Sequence, residues 1–205
     1  MNFENIVTIL KKIIDIKDID LNEVKAGIKL QLLTYMNEMC KQESAEPAGA
    51  FYYNLIEPMV KASQNMSDEQ IEEELRKQFK MRGLILADVD IIRKMDKNLD
   101  TGSSNIIPAT INKDETLSKK ASNISKQQFE YLQKYTNKII KQISEEILSG
   151  NINIKPYYNT KNKKTPCEYC TYKSICQFGN GICKKEYNYI SNLEKEAILE
   201  MMKEK

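Results

Sequence analysis

A cluster of cysteines near the C-terminal end carries the clearest chemical pattern in this chain. Cys167, Cys170 and Cys176 form a C-x2-C-x5-C array, and Cys183 follows seven residues later. Two thiolates from one tight turn can bind the same metal ion or cluster, and a third cysteine closes the coordination from another side. The neighbouring Glu, Thr, Lys and Ser residues argue against cysteines that are merely buried. The spacing therefore predicts a metal or cluster site, with Cys183 as a candidate fourth ligand.

Asp15 and Lys17 form a second candidate constellation. On a β-strand, residues i and i+2 point to the same face, where a carboxylate can hold Mg²⁺ and an ammonium can orient a water or stabilise phosphoryl charge. On a helix the two side chains would diverge. Residues 3–17 fit both a helix and the end of a β-branched strand. An ordinary charged strand edge therefore stays the simpler interpretation of the pair.

Gln31 and Tyr35 are the third candidates, one turn apart on a predicted helix over residues 20–41. An amide and a phenol at this spacing can hydrogen-bond a phosphate or an active-site carboxylate. The alternative is a core tyrosine beside a surface glutamine. Cys40, in the apolar part of the same helix, is predicted to be a buried small hydrophobe.

Composition excludes several kinds of chemistry. The chain has 205 residues and no histidine, which removes Ser-His-Asp and Cys-His catalysis and every His-ligated metal site. The net charge of +2, with 41% hydrophobic and 29% charged residues, is typical of a globular protein. Neither a signal peptide nor a membrane span is predicted. We therefore expect a cytoplasmic location, where the cysteines act as ligands or buried thiols.

The elements that must position these residues are mainly helical. The patterns predict an aromatic strand over residues 50–56, an apolar run at 84–86 and a hairpin within 106–118. In the longest helix, an apolar stripe is predicted to face the core: Phe129, Leu132, Ile139, Ile143 and Ile147. Besides residues 20–41, the predicted helices cover residues 67–81, 88–97, 126–149 and 190–202.

Four blocks in a fixed order resemble a known family. They are DLNEVKAGIKLQLLTYM (20–36), PAGAFYYNLIEP (47–58), MRGLILAD (81–88) and the stretch from residue 147 to 178 that ends in the cysteine array. Gln31 and Tyr35 match the Q-x3-Y motif of RecB-type nucleases. The whole order resembles the C-terminal part of the B subunits of AddAB-type helicase–nucleases, over almost the whole chain from about residue 12.

The resemblance implies an α/β PD-(D/E)xK nuclease fold and Mg²⁺-dependent cleavage of DNA ends in recombinational repair. It implies a helicase partner, the A subunit of the AddAB-type complex, and no membrane partner. Asp15 would be the metal ligand, Lys17 would assist attack, and Gln31 and Tyr35 would complete the site. Cys167, Cys170 and Cys176 would be three ligands of a [4Fe-4S] cluster that staples the ends of the nuclease domain together.

The chain also departs from the family. The large helicase-like region, the first cluster cysteine and the upstream acidic metal ligand of a G-x-I-D-R-type strand have no counterpart here. We therefore expect a truncated, predominantly helical nuclease-like domain over residues 1–158, with an incomplete catalytic site. A Cys-rich iron–sulfur segment and a helix would occupy residues 159–205. The alternatives are a non-catalytic DNA-binding or partner-docking module, and a zinc knuckle built from the array with Cys183.

Overall fold

The structure is a computed structural model that describes residues 18–54, 66–118, 122–178 and 187–203, and the backbone of residues 6–13. These residues group into two compact units. The first unit contains Met1–Ile19 and Leu30–Lys134, and the second contains Asp20–Lys29 and Tyr135–Lys205. The predicted functional division at residue 158 is a separate matter and stays a prediction.

Strands and helices are mixed along the chain, so the expected α/β class is confirmed. The helices of both units are α1 (Leu21–Lys25), α2 (Gln31–Gln42), α3 (Asp68–Phe79), α4 (Val89–Met95), α5 (Lys126–Leu148), α6 (Lys173–Cys176) and α7 (Lys195–Lys203), with a 3₁₀ turn at Pro166–Tyr169. The strands are β1 (Ile6–Ile13), β2 (Glu46–Asn54), β3 (Arg82–Leu86), β4 (Gly102–Ser103), β5 (Thr110–Ile111), β6 (Asn123–Ile124), β7 (Tyr157–Asn159) and β8 (Asn188–Ile190).

The main sheet of the first unit has the strand order β1-β2-β3-β6. Strand β1 pairs parallel with β2, β2 pairs antiparallel with β3, and β3 pairs parallel with β6. The ambiguity over residues 3–17 is thereby resolved for residues 6–13, which form a strand. A parallel pair needs a crossover connection, and α2 supplies it between β1 and β2.

Strand β3 and the central part of β2 are apolar in sequence because their side chains are buried. In β3, Leu84, Ile85 and Leu86 are all buried, as expected for a strand covered on both faces. Phe51 of β2 and Ile85 belong to one core cluster with residues that follow in the chain: Ile92, Leu99, Ile107, Ala109 and Ile111. The core of the first unit therefore lies between the middle of the sheet and the segment from α4 to β5.

Strand β3 approaches β2 most closely at Gly83. Its φ is +146°, and a Cβ at this position would lie 2.1 Å from the carbonyl oxygen of Ala50 and 3.0 Å from the Cα of Phe51. Both contacts are with backbone, which cannot rotate away as a side chain can. The β2–β3 pairing, Phe51 opposite Gly83, therefore requires glycine.

We expect Gly83→Ala to destabilise the protein by more than the roughly 1–2 kcal/mol that a left-handed conformation costs, because the added methyl overlaps the neighbouring strand. Urea unfolding measures the loss. Gly102→Ala is the matched control, since Gly102 also has a positive φ (+94°) but no atom within 4 Å of an added Cβ. Equal losses for the two variants would contradict the close approach.

The predicted continuous helix over residues 20–41 is wrong, because the helix stops at Gly27. This glycine has φ +78°, and the Gly27 and Ile28 amides donate to the carbonyls of Val24 and Glu23. These two bonds form a Schellman motif, which ends a helix. Asp20 does cap α1, accepting from the Asn22 amide. A second helix, α2, then starts at Gln31.

Two of the other helices begin with the sequence S-x-x-Q, which is typical of a capping box. Ser67 and Gln70 form a reciprocal capping box at the start of α3. Ser125 and Gln128 exchange the same two bonds at the start of α5, 2.8 and 3.2 Å long. In the predicted hairpin, Ile111 bridges Leu117 in antiparallel fashion.

The predicted inner face of α5 is wrong in its second half. Phe129 and Leu132 are fully buried, but Ile143 is 42% and Ile147 is 71% exposed. The helix continues past the residues that cover it, and periodicity cannot register where a covering layer ends. In the C-terminal helix α7, Ile198, Leu199 and Met202 are buried.

The second unit joins α1 to the C-terminal segment through the Asn22 side chain. Its amide donates to the Leu193 carbonyl (3.1 Å), and its oxygen accepts from the Leu193 amide (2.9 Å). The Tyr135 hydroxyl donates to the Lys25 carbonyl (2.9 Å). These bonds explain why residues 20–29 group with residues 135–205. Among the described helices, none combines the length and apolar character that crossing a membrane demands.

Candidate active site

Strands β1 and β2 end side by side, with Ile13 opposite Asn54 in the parallel register. The candidate pair Asp15 and Lys17 follows the end of β1 in the chain, but both residues lie outside the described residues. Their predicted metal-binding and catalytic roles therefore stay predictions. What the structure establishes is the strand that leads into them and its parallel partner.

Asp88 is the acidic residue of the MRGLILAD block, and it lies at the other end of the sheet. Because β3 runs antiparallel to β2, with Tyr52 opposite Arg82 and Gly49 opposite Ile85, β3 ends near the beginning of β2. The Asp88 carboxylate accepts from the amides of Asp90 and Ile91 as the cap of α4. Asp88 is therefore a helix cap and is remote from the end where β1 stops.

Gln31 and Tyr35 are brought together on the first turns of α2, which lies against β1 and β2. The Gln31 amide donates to the Tyr35 hydroxyl oxygen over 2.7 Å. The phenol O–H thus keeps its own proton for another acceptor. This arrangement is the hydrogen-bonded pair that the spacing predicts, and it presents a donor that can reach an anionic oxygen.

The exposure of Tyr35 rules out the interpretation of this residue as core. Tyr35 is 50% exposed and Gln31 is exposed as well. The opposite face of α2 is buried and includes Leu32, Leu33, Met36 and Cys40. Cys40 is buried, which confirms the prediction of a buried thiol, and this burial raises the pKa of the thiol. The helix is held by one face and leaves the Gln31–Tyr35 pair on the other.

We expect Tyr35→Ala to change the free energy of unfolding by less than about 1 kcal/mol, because exposed hydrogen bonds contribute little net stability. Met36→Ala, one residue later and fully buried, should cost about 2–5 kcal/mol. Urea unfolding of the two variants measures both values. A loss for Tyr35→Ala as large as that for Met36→Ala would mean that Tyr35 serves packing.

The cysteine array lies on short elements of the second unit. Thr165 caps the 3₁₀ turn that carries Cys167, with its hydroxyl accepting from the Cys167 amide at 3.5 Å. Cys176 ends α6, and Cys170 lies between the two elements. Cys170 is exposed, whereas Cys167 and Cys176 are partly exposed. The predicted fourth ligand, Cys183, lies outside the described residues.

The donor types in the array suit a metal site, but their placement does not form one. Partly exposed thiols among polar neighbours are the chemistry that zinc or an iron–sulfur cluster needs. Within the ranges that the structure describes, however, no group of three or more His, Cys, Asp or Glu side chains comes together to hold a metal ion. Cys167, Cys170 and Cys176 are therefore not gathered into a coordination site as they lie.

Lys80 of the first unit is a candidate binding residue that no sequence pattern predicts. It follows the end of α3, its ammonium donates to the Ser103 hydroxyl over 3.1 Å, and burial lowers its pKa. A single lysine after a helix gives no periodic or spacing signal. Only the fold brings it beside β4.

The domain match decides the family. The sequence profile of the PD-(D/E)XK nuclease superfamily matches residues 11–177, most of the chain. The chain belongs to this superfamily. The match begins within β1 and runs to the end of the cysteine array, so it includes D-x-K, the Gln31–Tyr35 pair and the central strands.

Three relatives of this chain carry the same protein name. The chain is similar to the B subunit of the ATP-dependent helicase/deoxyribonuclease of Thermoanaerobacter sp. (strain X514), with 39% identity over 191 residues, 91% of this chain and 16% of the relative. For the protein of the same name from Acetivibrio thermocellus, the identity is 37% over 192 residues, again 91% and 16%.

A similar protein in Bacillus thuringiensis (strain Al Hakam) carries the same name and is 38% identical over 196 residues, 92% of this chain and 17% of the relative. The chain therefore spans about a sixth of the length of these relatives. The resemblance to the B subunits is confirmed for this PD-(D/E)XK nuclease domain.

Proposed function

We propose that this chain is the nuclease module of an AddAB-type helicase–nuclease that acts on DNA ends in recombinational repair of double-strand breaks. The observation that carries the proposal is the Gln31–Tyr35 pair, joined over 2.7 Å on the exposed face of a helix that lies against the parallel strands β1 and β2. The superfamily match and the relatives named helicase/deoxyribonuclease support the same function.

In this proposal each residue has a separate role at the scissile phosphate. Asp15 would hold Mg²⁺, and a bound Mg²⁺ would supply polarisation of the phosphoryl group and activation of a water. Lys17 orients the attacking water and offsets charge on the phosphate. Tyr35 donates its hydroxyl proton to a phosphate oxygen, while the Gln31 amide fixes the direction of that hydroxyl through the bond that it donates.

We further propose that the catalytic site of the chain by itself is incomplete. Paired carboxylates or two metal ions are what neutralise the charge that develops during phosphoryl transfer. Within the given residues, Asp15 is the acid that matches the family's catalytic motif, and Asp88 is engaged as the α4 cap. A non-catalytic DNA-binding or partner-docking module is therefore the alternative function, with the helicase, the A subunit of the complex, as the proposed cytoplasmic partner.

We expect no degradation of end-labelled linear DNA by the purified chain in Mg²⁺ or Mn²⁺, because one carboxylate holds a catalytic metal poorly. Gel analysis of the products measures this. Asp15→Ala and Lys17→Ala are the diagnostic variants, with Lys141→Ala as an exposed control far along α5. Metal-dependent degradation that is lost in the first two variants and kept in the control would overturn the expectation of an incomplete site.

For the cysteine array we propose a [4Fe-4S] cluster bound by Cys167, Cys170 and Cys176, with Cys183 as the fourth ligand. Cys167, Cys170 and Cys176 are solvent-accessible and lie within the superfamily match, which supports their assignment as ligands. Since the three described thiols are not gathered, ligand binding has to draw the 3₁₀ turn and α6 together. The alternative occupant is zinc in the same thiolate set.

Absorbance and metal analysis of anaerobically purified protein separate the two occupants. We expect a brown protein with a shoulder near about 400 nm, because iron–sulfur clusters absorb there and zinc is colourless. Cys170→Ser should lose the metal and lower the melting temperature, whereas Cys40→Ala, a buried thiol outside the array, should keep the metal. Unchanged metal content and unchanged melting in Cys170→Ser would show that the array is not a site.

A further inference from the structure

A cavity of about 560 Å³ lies in the first unit, beside Tyr53 near the end of β2. The end of β2, the end of α3 and the segment after α4 line it, with Tyr53, Arg76, Phe79, Asn98 and Asn105 among the lining residues. A volume of this size accommodates one small molecule or one unit of a polymer. The side chains of the lining determine which ligand the cavity can bind.

Two aromatic rings form part of the wall. The rings of Tyr53 and Phe79 are nearly parallel, 22° apart, with centroids separated by 6.3 Å. Both side chains are only partly buried, so apolar surface remains for a flat ligand. Stacking against aromatic rings is the main way in which proteins hold unpaired nucleobases, whatever their sequence.

Two side-chain amides lie at the rim. Asn98 and Asn105 are exposed, and within the described residues neither side chain takes part in a hydrogen bond. Each amide offers two donor hydrogens and an acceptor oxygen. This is the combination that pairs with the mixed donor and acceptor edge of a nucleobase.

Hydrogen bonds hold the backbone beside these two side-chain amides. The buried Asp96 carboxylate accepts from the Ser104 hydroxyl at 2.6 Å and from the backbone N–H of Asn98 at 3.1 Å. The Ser104 oxygen in turn accepts from the amides of Ile106 and Ile107, both at 3.0 Å. The loop that carries Asn98 and Asn105 is therefore held in place before any ligand arrives, which lowers the entropic cost of binding.

Two cations lie near the same wall. Lys80, next to Phe79, is partly buried, and no carboxylate pairs with it among the described residues. Burial lowers the pKa of Lys80, so an anion beside it would restore a stable charge. Arg76 lines the cavity but is paired with Glu72 over 2.7 Å. Lys80 is thus a better partner than Arg76 for one phosphate. The acidic first half of α3 would repel further phosphates of a DNA strand that lay along it.

We propose that this cavity binds one nucleotide of a DNA strand, with the base against Tyr53 and Phe79, its edge on Asn98 and Asn105, and its phosphate at Lys80. The proposal rests on the proposed action on DNA and names described residues that would hold one nucleotide of the strand. Such a contact would hold an unpaired nucleotide of the end on which the module acts.

Thymidine 5′-monophosphate is the probe, because it carries one base and one phosphate. We expect saturation-transfer NMR with the full chain to show binding that Phe79→Leu weakens by at least about fivefold, the lower end of the stacking range. Asn105→Ala should weaken binding by about twofold to tenfold, because it removes hydrogen bonds to the base. Asn153→Ala, an exposed asparagine of the second unit, should bind like the parent. Equal binding by all four proteins, or equal binding of deoxyribose 5-phosphate, which has no base, would overturn the pocket.

Circular dichroism first establishes that each variant is folded, and Asn105→Ala decides the matter if Phe79→Leu does not fold, since Asn105 is exposed. Anisotropy with a labelled single-stranded dodecamer separates this proposal from the proposed function. Nucleotide binding in the pocket without any dodecamer binding would contradict the proposed action on DNA and leave a pocket for the free nucleotide alone. Dodecamer binding that Asn105→Ala leaves unchanged, without nucleotide binding, would sink the pocket and keep the function.

Discussion

Strand β2 is the element on which the first unit depends, because it is hydrogen-bonded on both sides. Its neighbour β1 runs parallel to it, and its neighbour β3 runs antiparallel to it. The antiparallel side exists only because Gly83 has no Cβ, since an added carbon would lie 2.1 Å from the Ala50 carbonyl oxygen. The parallel side has a different consequence. A parallel pair requires a crossover, and the crossover helix α2 carries Gln31 and Tyr35. The exposed pair is therefore placed by the topology of the sheet.

The break at Gly27 has an equally specific role. It ends α1 with a Schellman motif, so that Gln31 becomes the first residue of a new helix and not the middle of a long one. Residues 20–29 can then bond to the C-terminal segment of the second unit through Asn22 and the Lys25 carbonyl. The positive φ of Gly27 thus ends α1, which belongs to the second unit, a few residues before α2, which belongs to the first.

The two candidate sites rely on different kinds of order. The Gln31–Tyr35 pair belongs to a helix with a buried face, so its geometry is present without a ligand. The cysteine array lies on a 3₁₀ turn and a helix of four residues, elements with little buried surface of their own. A cluster would supply the order that packing does not, as ligand bonds do in small metal sites. The Asp96–Ser104 network gives the neighbouring cavity the first kind of order.

Local signals were sufficient for much of the chain. Both capping boxes, the aromatic strand, α4 and the hydrogen-bond spacing of Gln31 and Tyr35 could be predicted, because each depends on residues within one or two turns. The continuous helix over 20–41 was mispredicted because the apolar stripe continues across Gly27 while the backbone does not. Tertiary structure alone decided that residues 6–13 are a strand, since only pairing with β2 separates the two patterns. It also decided that Ile143 and Ile147 are exposed, that Asp88 lies at the far end of the sheet, and that Phe79 and Asn105 border one cavity, because each depends on contacts between segments distant in sequence.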